Sequence, residues 1–181
     1  MDKGQAERLF ALLSELLVEA GVGWHDLAAL AVGTGPGNFT GVRIAVAAAR
    51  GLALSLGIPA VGVSTLDALA LSLPRPTVAI LDARRDQVYV QVFGAAPRPA
   101  ALLDATASPV IAPGATFVGY NARMFAERCR GRDMTAALPL AEAIARIALT
   151  RLDPPPARPA PFYLRGADAA LPADPPPVIL P

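Results

Sequence analysis

The stretch Gly33-Thr34-Gly35-Pro36-Gly37-Asn38-Phe39-Thr40-Gly41 carries the pattern closest to a chemical loop. Its alternating glycines permit backbone angles that other residues avoid. They stand directly before a helical pattern, where free backbone N–H groups suit an anion such as phosphate. The details argue against a nucleotide loop. No Gly-Lys-Ser/Thr follows, and the spacing Gly33-x-Gly35-x-Gly37 differs from the dinucleotide fingerprint. Pro36 also lacks an amide hydrogen. The plainer reading is a tight turn that brings a helix close to a strand.

No other chemistry-bearing residues assemble into a set. His25 is the only histidine, so no His pair or Cys/His cluster with metal-ligand spacing exists. Ser64, in Gly62-Val63-Ser64-Thr65-Leu66, lacks the second glycine of a nucleophile elbow and reads as a helix cap. Cys129 lies between Arg128 and Arg130, which favour a thiolate, but without a suitable base it reads as an ordinary helix thiol. Asp82, Arg84, Arg85 and Asp86 form a charged hairpin tip, either solvated or a contact for an anionic partner. No catalytic residue, cofactor or metal ligand is expected.

The elements that position the glycine loop are legible around it. Leu27–Val32 is a short apolar run of strand length. From about Thr40 a helical pattern continues to Leu56, stopped by Gly57 and Pro59. Ala60–Val63 supplies the return strand of a β-α-β unit. The helix is apolar around its whole circumference, with only Arg43 and Arg50 charged, which predicts burial on several sides. Its alanines allow close approach by another helix or another chain.

Ahead of this unit, Ala6, Leu9, Phe10, Leu13, Leu16, Leu17 and Ala20 recur at helical spacing over 5–20. After it, Ser64 to Asp67 resembles a capping box opening a helix to about Leu73. Val78–Leu81 and Gln87–Phe93 read as paired strands. Composition loosens over 94–114, with a possible short strand at Val110-Ile111. Thr116–Tyr120 predicts a strand, and Asn121 a cap for a helix to about Arg130. Pro139 suits the first position of a last helix ending near Arg151. A proline-rich extended tail follows.

Composition bounds the function classes. At 181 residues with 54% hydrophobic and 17% charged residues, the chain can bury a sizeable core and is not a disordered segment. A net charge of +1 gives no electrostatic footprint for nucleic acid. One cysteine excludes an internal disulfide framework and fits a reducing compartment. The uncharged apolar stretch Gly51–Leu66 falls short of the ~20 residues needed to cross a bilayer. The polar start MDKGQAERLF lacks a signal-peptide core. A cytoplasmic protein without membrane association is expected.

GTGPGNFTGVRIAVAAARGLALSLGIPAVGVSTLDAL resembles the signature of the bacterial TsaB (YeaZ) family, with Gly35, Pro36, Gly37, Phe39, Thr40, Gly41 and Arg43 as its defining residues. AERLFALLSELL, LDARRDQVYVQVF and PFYLRGADA extend the resemblance over nearly the whole chain. It implies an α/β fold of the actin/Hsp70/sugar-kinase type. It also implies a dimerisation subunit that supports a TsaD-like catalytic homologue and a TsaE-like ATPase in threonylcarbamoylating the adenosine next to the tRNA anticodon. Such a subunit meets tRNA only through the complex and is a homodimer in isolation. The family usually begins with a strand bearing Ile-Leu-x-Ile-Asp-Thr and further strands. Here the first helix comes at once, so the expected lobe is N-terminally truncated and lacks the superfamily's first phosphate hairpin.

The expected organisation is a truncated N-terminal α/β lobe over 1–74, a smaller second α/β lobe over 75–152 and an extended tail over 153–181. The partner surface is assigned to the helices at 5–20 and 40–56, with Leu9, Leu13, Leu16, Ala45, Ala48, Ala49, Leu52 and Leu56 at the contact. The alternatives are an autonomous ATP-using enzyme of the sugar-kinase type and a peptidase, as the family's older glycoprotease label suggests. A competing account of the apolar helix has the second lobe folding over it.

Overall fold

The computed structural model describes residues 5–107 and 113–165. Helix α1 (Gln5–Ala20) leads through a 3-10 turn (Trp24–Asp26) into strand β1 (Leu30–Gly33). Helix α2 (Phe39–Leu56) then returns the chain to β2 (Ala60–Val63), which pairs parallel to β1 with Leu30 opposite Ala60 and Gly33 opposite Val63. The β-α-β unit therefore forms as expected. Its first strand starts at Leu30 instead of Leu27, because Leu27 and the residues before it finish the 3-10 turn.

Short helix α3 (Thr65–Leu69) joins this unit to a five-stranded sheet of β3 (Thr77–Arg84), β4 (Gln87–Phe93), β5 (Arg98–Asp104), β6 (Thr116–Gly119) and β7 (Arg132–Met134), in the order β5-β4-β3-β6-β7. The β5-β4-β3 portion is antiparallel, whereas β6 and β7 run parallel to β3. Helices α4 (Ala122–Cys129) and α5 (Leu140–Leu149) follow β6 and β7.

Successive side chains of a strand face opposite sides, and the five-stranded sheet uses this alternation fully. Val78, Ile80, Val88, Val90 and Phe117 pack with Ala122, Phe125 and Ala126 of α4. Ala79, Tyr89 and Val118 pack with Leu66, Ala70 and Leu73 from the α3 region. Strand β5 occupies the loose stretch 94–114. Its Pro99 is tolerated because the strand lies at the edge and pairs only with β4.

Several local expectations need correction. Helix α3 ends at Leu69, not Leu73; Ser64 Oγ accepts from the Leu66 amide at 3.2 Å, while Asp67 pairs with Arg151 at 2.8 Å instead of closing a capping box. Asn121 makes no side-chain cap: its backbone is left-handed (φ 49°), which turns its amide away from that role. Pro139 is the residue before the first turn of α5, with extended backbone. Val110-Ile111 lies outside the described residues.

One helix of the stretch 75–152 reaches back across the 74/75 boundary. Helix α5 packs on the β1–β2 sheet, where Ala143, Ile147 and Ala148 join Val61, Val63 and Ala68 in one buried cluster. A Cβ added at Gly33 would lie 3.3 Å from Ile144 Cδ1. The chain thus crosses back from the five-stranded sheet to cover the first one.

The expectation that α2 is buried on several sides fails within the chain. Only Val46 and Ala53 are buried, because β1 and β2 together cover one stripe of the helix. Among the described residues its main neighbours are β1, β2 and α1, with Tyr163 of the C-terminal segment against Phe39 and Arg43. Among the described residues α2 is the one helix long and apolar enough, by length and composition, to cross a membrane.

Candidate functional site

The signature loop is held from three directions. The Thr34 amide and Oγ1 both donate to the Val63 carbonyl, at 2.8 and 3.2 Å. The Thr65 amide donates to Gly35 O at 2.8 Å, and the Phe162 amide to Thr34 O at 2.8 Å. Gly35 has φ +92°, a left-handed angle at which a side chain is strained. Asn38 Oδ1 accepts from the Gly41 amide at 3.0 Å and so caps α2 through a donor that an anion would otherwise use. The loop is a tight strand-to-helix turn, as its plainer reading holds.

The proline-rich segment runs back over this loop. Pro159 is buried above Gly62, where an added Cβ would lie 2.7 Å from Thr34 Cγ2 and 3.2 Å from Pro159 Cβ. Farther on, Tyr163 Oη accepts from Arg43 Nε at 2.8 Å. The Arg43 guanidinium stands 3.8 Å from the Phe39 ring centre, and the Phe39 and Tyr163 rings are 5.1 Å apart. Two signature residues, Phe39 and Arg43, thus clasp the chain's own C-terminal part. Arg165 bonds to Gln87 Oε1 and Leu164 joins the core beneath the second sheet, so the segment ties both sheets together. Thr40 is exposed, as is Gly37, whereas Pro36 is buried after a cis Gly35–Pro36 bond.

The second candidate region is the α1–α2 face. A groove of about 600 Å³ runs between the helices, lined among others by Leu9, Phe10, Ile44, Ala48, Gly51 and Leu52. Of the sequence-assigned contact residues, Leu9, Ala48 and Leu52 line it. Leu13, Ala45, Ala49 and Leu56 are half-buried outside the groove, and Leu16 is exposed. Over 6–20 helix α1 has no buried residue: Phe10 is 49% exposed, Leu16 51% and Val18 80%. Phe10 and Ile44 are contributors that the assignment omitted, although Phe10 lies four residues after Ala6 and Ile44 four before Ala48, the spacing that marks one helix face.

The remaining candidates stay apart. His25 sits in the 3-10 turn, Ser64 caps α3 and Cys129 ends α4. Among the described residues no group of three or more His, Cys, Asp or Glu side chains converges. The Arg123 guanidinium is held above its usual value, first by its hydrogen bond to Glu127, then by the charges of Glu127 and Asp133; it is a surface pair of α4. At the hairpin tip, Arg84, Arg85 and Asp86 all take positive φ, and Asp82 Oδ1 accepts from the Arg84 amide at 2.8 Å.

Known proteins place this architecture. The family model described as TsaD: tRNA N6-adenosine threonylcarbamoyltransferase matches residues 2–139. The TsaB protein of Escherichia coli K12, named for tRNA threonylcarbamoyladenosine biosynthesis, is 41% identical over 88 residues, covering 46% of this chain and 38% of that protein. A Pseudomonas aeruginosa crystal structure described as similar to peptidase YEAZ superposes with TM-score 0.70 at 31% identity, covering 91% of this chain and 86% of that one. The structure named YeaZ from the same organism gives TM-score 0.66 at 31% identity over 88% and 84% of the two chains. The chain belongs to the TsaD-type threonylcarbamoyltransferase family, on its TsaB (YeaZ) branch. Its fold is accordingly the α/β fold of the actin-like superfamily. The alignment with the curated E. coli relative spans about two fifths of that protein's length.

Proposed function

We propose that this protein is a non-catalytic subunit of the cytoplasmic machinery that places threonylcarbamoyl on the adenosine next to the tRNA anticodon. In this reading it docks through its α1–α2 face to a TsaD-like catalytic homologue or to a second copy of itself. A TsaE-like ATPase completes the assembly, and tRNA is met only through the complex. Support comes from the names of its relatives and from one structural observation: the apolar groove between α1 and α2 is covered by nothing else in the described chain. Exposed apolar area of this kind suits a protein interface. The account in which the second lobe folds over α2 lacks support, since that lobe packs elsewhere.

Ala48→Glu tests this directly. A charge forced into an interface centre strands an unpaired buried ion, at a cost of several kcal/mol. The variant is expected to sediment as a monomer with an unchanged circular-dichroism spectrum and to lose capture of a TsaD-like homologue. An Ala48→Glu protein that still associates with itself and with that partner, or one that unfolds, overturns the assignment.

A further inference from the structure

We propose that the cavity between the last turns of α2 and the proline-rich segment binds a small organic phosphate. This site is separate from the signature loop and does not depend on the docking role of α1 and α2. The cavity measures about 490 Å³ and includes Arg50, Leu54, Gly57, Ile58, Pro156 and Arg158 in its wall.

Charge supplies the first argument. Two guanidinium groups, Arg50 from the helix and Arg158 from the proline-rich segment, border one cavity whose lining contains no carboxylate. Among the described residues neither arginine has an ion-pair or hydrogen-bond partner. Several of the chain's other arginines are engaged: Arg43 with Tyr163, Arg128 with the Ala105 and Thr106 carbonyls, Arg151 with Asp67. Two unpaired guanidiniums match the double charge and multiple acceptors of a phosphate monoester.

Shape supplies the second. The volume is within the range of small-ligand sites and exceeds what a bare phosphate needs. Apart from the arginines, every lining side chain is aliphatic, proline or absent, so the surface suits an apolar or planar body attached to the anion. The carbonyl end of α2 would oppose an anion. Here the amides of Gly57 and Ile58 both donate to Ala53 O, so one of the end carbonyls is answered within the chain.

Phenyl phosphate is the probe, titrated into the full chain and followed by amide NMR. Saturable shifts are expected at Gly57, Ala60 and Ala157, weakening as salt screens the charges. Arg50→Gln and Arg158→Gln should each weaken binding about tenfold or more, as loss of a charged hydrogen bond implies, and the double variant should abolish it. Both side chains are on exposed residues, so circular dichroism should be unchanged. Arg98→Gln, on β5, serves as the charge control and should bind like the parent. The proposal is overturned by an absence of saturable binding, by retention in the double variant, or by equal weakening in Arg98→Gln. Phenol or inorganic phosphate binding as tightly as phenyl phosphate overturns it equally.

Discussion

The two sheets of this protein treat their apolar side chains differently. The five-stranded sheet buries both faces: Val78, Ile80 and Phe117 lie against α4, and Ala79 and Val118 against the α3 region, all with essentially no exposure. The two-stranded sheet covers its α5 side equally well through Val61 and Val63, yet the helices on its other flank remain open. Helix α2 buries two residues of eighteen, and α1 none over 6–20. One part of the molecule satisfies its hydrophobic demand internally; the other is shaped as though a further surface belonged there. A helix held to its domain by so little buried area draws little stability from that domain. Its apolar residues are therefore free to serve association.

The largest effects should come from breaking the closed core. Phe117→Ala should cost about 3–5 kcal/mol, through lost burial plus the cavity left behind, and urea unfolding would read it. The comparison is sharpened by Phe10→Ala on α1. This change should shift stability by no more than about 0.5 kcal/mol, while weakening association by more than about 1 kcal/mol if Phe10 anchors the interface. A Phe10→Ala protein as destabilised as Phe117→Ala would erase the distinction between the two regions.

Smaller effects should appear where the proline-rich segment crosses the first sheet. Gly62→Ala places a methyl 2.7 Å from Thr34 Cγ2 and against Pro159. That crowding should cost about 1–3 kcal/mol, seen as a lowered melting temperature. An unchanged melting temperature would mean that the segment yields easily. Tyr163→Phe removes the acceptor for Arg43 Nε but keeps the ring against Phe39. On an exposed side chain the loss should be about 0.5 kcal/mol, at the low end for a hydrogen bond. Tyr163→Ala, which removes the ring as well, should cost more. Equal losses in the two variants would assign the clasp to the hydrogen bond and not to the stacked rings.

Much of this architecture was readable before any coordinates. Helices at 5–20 and about 40–56, the β1 and β2 pair and the β3–β4 hairpin follow from hydrophobic spacing with glycine and proline stops. The glycine loop could be read as a turn, since its residues lack the lysine and spacing of a phosphate site. Two strands escaped notice. Strand β5 carries a proline and an Ala-Ala pair, and β7 is three exposed residues long; neither alternates strongly enough to register.

Local sequence determined the elements because helix and strand periodicity, caps and turns act over a few residues. It also determined that α2 would have more apolar surface than one sheet could cover. Only the tertiary structure decided which stripe of α2 is buried, that α5 returns to the first sheet, and that Arg43 and Phe39 clasp Tyr163 more than a hundred residues away. These outcomes depend on non-local packing. Many helices are apolar enough to sit on β1 and β2, and the choice of α5 rests on how Ile144 and Ala143 fit beside Gly33 and Val61. The cavity between Arg50 and Arg158 belongs to the same class, since the two cations come from segments that meet only once the chain has folded.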